Sequence, residues 1–124
     1  MRTITTHRIN ACNEAIDIQV LDEPGAGGAN CAYGIRHPAW SGEYVQHLLS
    51  FQNGPVKENG EGVNGITHEA LIAVLIDRMK GFQAGPWPCP ENALALSYLE
   101  GALAILNART KVREARGVEG THKV

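Results

Sequence analysis

Residues 60–83 read GEGVNGITHEALIAVLIDRMKGFQ, and the reading of this stretch decides the fold. Its first six residues spell G-x-G-x-x-G at the mouth of a helical pattern. A dinucleotide-binding turn of that form needs an upstream strand, a helix, a second parallel strand and an acid on the ribose about 20 residues on. Asp77 lies near that distance but falls inside the helix, and the chain that follows is a second helix. Two βαβ halves cannot be built from it. The spacing Gly54 to Gly60 resembles a phosphate loop, yet Glu-Gly follows where Lys-Ser/Thr is required. The stretch is therefore a glycine-rich connector that needs positive φ at Gly60, Gly62 or Gly65. Lys57 and the backbone N–H groups beside it leave room for an anion contact.

Beyond the connector the period is helical. Thr67 is a good N-cap with Glu69 in the first turn, and Ile72, Leu75, Ile76, Met79 and Phe82 recur at helical spacing. AGPWPCP breaks the chain with three prolines. A second helix starts near Pro90, a residue favoured at the first helical position. Leu96, Leu99, Leu103 and Leu106 form an a/d stripe suited to packing on another helix, with Ala93, Ala95, Gly101, Ala102 and Ala104 small enough for close approach.

Working back from the connector, the first half has period two. RTITTHR (2–8), IDIQVLD (16–22), CAYGIRH (31–37) and EYVQHLLSFQ (43–52) read as strands, with EPGAGGAN and HPAWSG as turns. Links this short imply an antiparallel meander, because parallel neighbours need a long crossover. The expected fold is thus α+β. It is a single domain with a β-rich part (1–55), a glycine-rich loop (56–66), a two-helix antiparallel hairpin (67–116) and a tail (117–124). Few aromatics and a long apolar helix face predict a dimer or larger assembly.

The 124 residues, 44% hydrophobic and 19% charged, suit one soluble domain. A net charge of −2 excludes a broad basic surface for nucleic acid. No apolar run reaches the length of a membrane span, and MRTITTHRIN lacks a signal-peptide core. Cys12, Cys31 and Cys89 make an odd set with no C-x-x-C, so reduced thiols in a cytoplasm are expected.

No nucleophile–base pair or carboxylate pair stands out, and no cofactor is implied. His68-Glu69 is not H-E-x-x-H, and no two of His7, His37, His47, His68 and His122 share metal-ligand spacing on one element. No metal site is expected. Cys89 precedes a helix and reads as a buried or N-capping thiol. Phe82 and Trp87 are aromatics able to stack on a base. Asn92 can read a base edge, and Arg109 and Arg113, four apart on one helix face, could grip a diphosphate together. Core packing and a solvated helix end are the plainer readings of these same residues. Together they hint at a nucleotide-like ligand.

GPVKENG, VNGITHEAL, IDR, FQAGP, ENALAL and RGVEGTH, running from about Phe51 to the end, resemble the phage anti-Thoeris sponge family, Thoeris anti-defence protein one. The N-terminal half matches more loosely. The hairpin also resembles phage sponges that counter the cyclic oligonucleotides of CBASS. The resemblance implies a non-enzymatic protein in the cytoplasm of the infected host. It would sequester cyclic ADP-ribose isomers uncleaved, as a dimer or as a hexamer built from three dimers. Some members carry separate sites for cyclic di- or trinucleotides. DNA and membranes are not implied partners. The family's ligand contacts fall here on Phe82 and Asn92, with Arg109 and Arg113 next. Where many relatives read KENGVNG this chain has KENGEGVNG, and those two extra residues create the G-x-G-x-x-G string. A hydrolase of the same signal, or a module that blocks a host defence protein, are the alternatives.

Overall fold

The computed structural model describes residues 1–58 and 60–124. They form two compact units, Met1–Ile66 and Thr67–Val124. Asn59, within the expected 56–66 loop, lies outside the described residues.

The first unit is the expected meander. Strands β1 (Arg2–Ile4), β2 (Asp17–Val20), β3 (Ala32–Pro38) and β4 (Tyr44–Ser50) pair antiparallel in the order β1-β2-β3-β4. Alternation puts Ile4, Ile18, Val20, Tyr33, Ile35 and Leu49 on one face. Val20 is the most deeply buried of them, at 1% exposure. The Tyr33 and Phe51 rings meet edge to face, with centroids 5.6 Å apart and planes at 89°, which extends this core past the end of β4. A short helix α1 (Ala11–Glu14), capped by the Asn10 side chain, joins β1 to β2 in the stretch between the first two expected strands. Four residues are too few to carry a helical period, so nothing in the spacing announces it. Arg8 and Asp17 pair at 2.5 Å and His7 Nε2 donates to the Ile16 carbonyl, which closes this connection onto β2.

Polar side chains hold the two long loops. The Asp22 carboxylate accepts from Cys31 N at 3.0 and 3.2 Å. This bond from the Cys31 N–H is the main reason the Asp22 carboxyl titrates below the usual carboxylate range. After β4, Gln52 donates to the Gly62 and Gly54 carbonyls and accepts from Asn64 N, while Asn64 brackets the Asn53 backbone on both its N–H and C=O. Gly60 and Gly62 take positive φ, as expected of the connector, whereas Gly65 does not. Gly65 serves close approach: a Cβ there would lie 2.4 Å from the Phe51 carbonyl carbon.

The second unit is a two-helix hairpin. Helix α2 (His68–Ala84) starts at Thr67, whose side chain accepts from Ala70 N. Helix α3 (Pro90–Ala115) starts at Cys89, whose Sγ accepts from Asn92 N, so Cys89 is the N-capping thiol. The less exposed positions include Ile72, Ile76, Met79 and Gln83 on α2 and Asn92, Leu96, Leu99, Leu103, Leu106, Thr110 and Arg113 on α3. Both series alternate threes and fours, the spacing of helices that pack at a shallow angle. The leucine stripe therefore lies on the side of α3 that the hairpin covers. A second series with the same period, Leu94, Tyr98, Gly101, Ile105, Ala108 and Val112, is exposed, with its large members 56–71% accessible.

The end of α3 is closed by a Schellman arrangement. Gly117 has φ +71°, its N–H donates to Glu114 O, and Val118 N–H donates to Arg113 O. This turn folds residues 118–124 back along the helix and buries Val118 at 8% exposure.

Candidate functional site

The residues singled out in the sequence separate into two groups on the hairpin. At its bend, Phe82 occupies the last turn of α2 and is 49% exposed, with the Arg78 guanidinium 5.0 Å from its ring centroid. Trp87 sits in the link at 84% exposure. The Gln83 side chain clamps this link by donating to the Cys89 carbonyl and accepting from Cys89 N, both at 3.1 Å. Asn92 lies in the first turn of α3. Its backbone N–H is taken by the Cys89 cap, and its side chain is part-exposed. The bend thus presents a propped aromatic, a free indole and an amide.

Arg109 and Arg113 stand at the other end of α3. Arg109 lies seventeen positions beyond Asn92, which at about 1.5 Å rise each is roughly 25 Å along the axis. One nucleotide-sized molecule cannot touch both groups of a single hairpin.

The two arginines also differ from each other. Arg109 is exposed and has no charged or hydrogen-bonding partner among the described residues. Arg113 is buried at 7% exposure. Its Nε donates to Glu119 Oε2 at 3.0 Å, Nη1 to the Lys123 carbonyl at 2.5 Å, and Nη2 to the Val118 and Thr121 carbonyls at 2.9 and 3.0 Å. A guanidinium has five N–H groups, so one Nη1 hydrogen is left. Four of the five Arg113 N–H groups thus organise the tail. A groove of about 380 Å³ runs beside them, lined by Ala108, Arg109, Val112, Arg113, Arg116 and Val124. The i, i+4 spacing pointed to the arginine stripe; the Gly-Val-Glu that follows Arg116 was the overlooked sign of a capping turn.

Lys57 belongs to the first unit, exposed in the turn of residues 56–58. Among the described residues no three His, Cys, Asp or Glu side chains are grouped to hold a metal ion. Two histidines ten residues apart do meet, on adjoining strands: His37 and His47, with Nε2 atoms 2.9 Å apart. No helix among the described residues is long and apolar enough to cross a membrane.

Residues 47–111, the hairpin together with its connector and the end of β4, match the family model described as "Acb2/Tad1, hairpin domain". Over 75 residues the chain is 52% identical to the protein named "Thoeris anti-defense 1" of Bacillus phage SBSphiJ7. That alignment covers 60% of this chain and 51% of the relative, so the chain spans about half the length of the curated protein it matches. The leucine stripe, the proline-broken bend and the arginine end thus all fall in or beside a described domain, and the chain belongs to the Acb2/Tad1 hairpin-domain family.

Proposed function

We propose that this protein is a phage anti-defence sponge of the infected cell's cytoplasm. It binds cyclic ADP-ribose-type signals of the Thoeris system and withholds them uncleaved. Family membership and the name of the phage relative support the anti-defence role. The chemistry of the hairpin supports a ligand with a base and phosphates: Phe82 and Trp87 for stacking, Asn92 for a base edge, and Arg109 with the remaining Arg113 donor for the phosphates.

The separation of those two groups along α3 carries the reading further. Two copies crossing antiparallel near Gly101 would set Asn92 of one copy opposite the partner's Arg109, since each lies eight or nine residues from that point. The exposed series on α3 fits such a crossing, with Gly101 and Ala108 as hollows between Tyr98, Ile105 and Val112. The site is then shared by two subunits, which gives a small protein the enclosure that tight sequestration needs. A hexamer of three such dimers, with Lys57 beside separate sites for cyclic di- or trinucleotides, extends the same reading.

The test incubates the protein with a mixture of cyclic ADP-ribose isomers and cyclic oligonucleotides, removes free ligand, denatures the complex and weighs what is released. Intact cyclic ADP-ribose, one per shared site, is the expected result; linear product would mean an enzyme. Phe82→Ala and Asn92→Ala each abolish capture while the melting curve stays cooperative. Stoichiometric depletion by either variant would overturn the site.

A further inference from the structure

The strand pairing places one titratable cluster that the proposed sponge activity does not use. His37 pairs with Val45, and Ile35 with His47, so the two histidines are diagonal neighbours on one face of the β3–β4 ladder. Their Nε2 atoms approach to 2.9 Å, with ring planes 18° apart and centroids 5.0 Å apart. Rings that meet nitrogen to nitrogen at this separation present their Nε2 positions to each other and do not overlap face to face.

The tautomers follow from the partners. His37 Nδ1 lies 3.0 Å from the Pro38 carbonyl. A carbonyl can only accept, so Nδ1 carries the proton and His37 Nε2 offers a lone pair. His47 Nε2–H then donates to it. Moving that one proton to His47 Nδ1 leaves two lone pairs facing the same space. The backbone-anchored Nδ1–H of His37 is the outer-shell bond that metal-ligating histidines almost always have.

We propose that His37 and His47 form a two-imidazole chelate for a divalent late transition-metal ion, with solvent filling the other positions. With metal–nitrogen bonds of about 2.0–2.1 Å, donors this close subtend roughly 90° at the ion. That is the cis angle of tetragonal copper(II) or nickel(II), and it is narrower than a tetrahedral zinc site demands. The χ2 torsions of histidine are broad, so each ring turns easily toward a common point. The cationic neighbour Arg36 lies across the sheet, its guanidinium 4.7 Å from the Tyr44 ring centroid, and does not oppose the ion from the same face. The chelate pins β3 to β4 in register near the Trp40 turn.

Copper(II) and nickel(II) titrations of the whole chain, followed by calorimetry, test this, with copper(II) electron paramagnetic resonance as the second readout. The expected result is one ion per chain with two equatorial nitrogens coupled to copper. His37→Gln and His47→Gln each weaken binding at least about tenfold, and the double variant removes the tight site. Melting curves in EDTA confirm that these surface variants fold. Wild-type binding within about twofold of the double variant, or an unchanged two-nitrogen spectrum in it, overturns the chelate and leaves His37 and His47 a hydrogen-bonded pair.

Discussion

Replacing Arg113 with Ala tests the tail most directly. The side chain holds three backbone carbonyls, of Val118, Thr121 and Lys123, and the Glu119 carboxylate. Each carbonyl bond is worth about 1 kcal/mol net. The Glu119 bond counts for less, because that carboxylate is 34% exposed and screened by water. The freed carbonyls recover part of the loss by meeting water as the tail lifts, while the helix keeps its own hydrogen bonds. The cost of opening residues 117–124 therefore falls by about 2–3 kcal/mol, a rise of roughly 30- to 150-fold in the open population. Hydrogen exchange of the Val118 and Thr121 amides, bonded to the Arg113 and Val118 carbonyls, reads that population. Trypsin cleavage after Arg116 follows it while closing outpaces cleavage. Arg113→Lys keeps the charge but not the planar fork, and restores less than half of the protection. Unchanged exchange at Val118 in Arg113→Ala would refute the view that this arginine anchors the tail.

Four further outcomes are expected. Gly65→Ala drives a methyl into the Phe51 backbone and lowers stability by about 1–3 kcal/mol. Gly81→Ala, in the last turn of α2 with open space around it, raises stability by at most about 0.5–1 kcal/mol; thermal melts that failed to separate the two glycines would contradict both accounts. Asp22 titrates below the usual carboxylate range in the fold, so its contribution is complete above the ordinary value and is lost as pH falls through the lowered one. The melting temperatures of wild type and Asp22→Asn should therefore differ at neutral pH and converge in acid, and a gap that widened in acid would count against this. Burial, then the Asp22 charge, pushes the Cys31 thiol up. Alkylation mapped by mass spectrometry should accordingly modify exposed Cys12 first and Cys31 last.

Much of the fold was legible from local pattern. Alternation in IDIQVLD and the short turns after it demanded antiparallel neighbours, and Thr67, Pro90 and the three–four spacings marked both helices. What escaped was structure without a period or with distant partners. Helix α1 is shorter than one repeat. The Arg113 anchor depends on a chain reversal at Gly117, and the His37–His47 contact depends on the β3–β4 register. The candidate ligand residues were legible as chemical types, yet their arrangement was not. Phe82, Trp87 and Asn92 gather at the bend because a proline break forces α3 back along α2. That same reversal sends Arg109 and Arg113 to the far end.

By itself the sequence determined the order and kind of the elements, because periodicity, caps and breakers act within a few residues of each other. The tertiary structure decided which of two equally periodic faces of α3 is covered by the hairpin. It also decided which arginine is engaged by its own chain and which histidines become neighbours. Those outcomes depend on helix rotation, strand register and the packing of residues far apart along the chain, which no local spacing encodes.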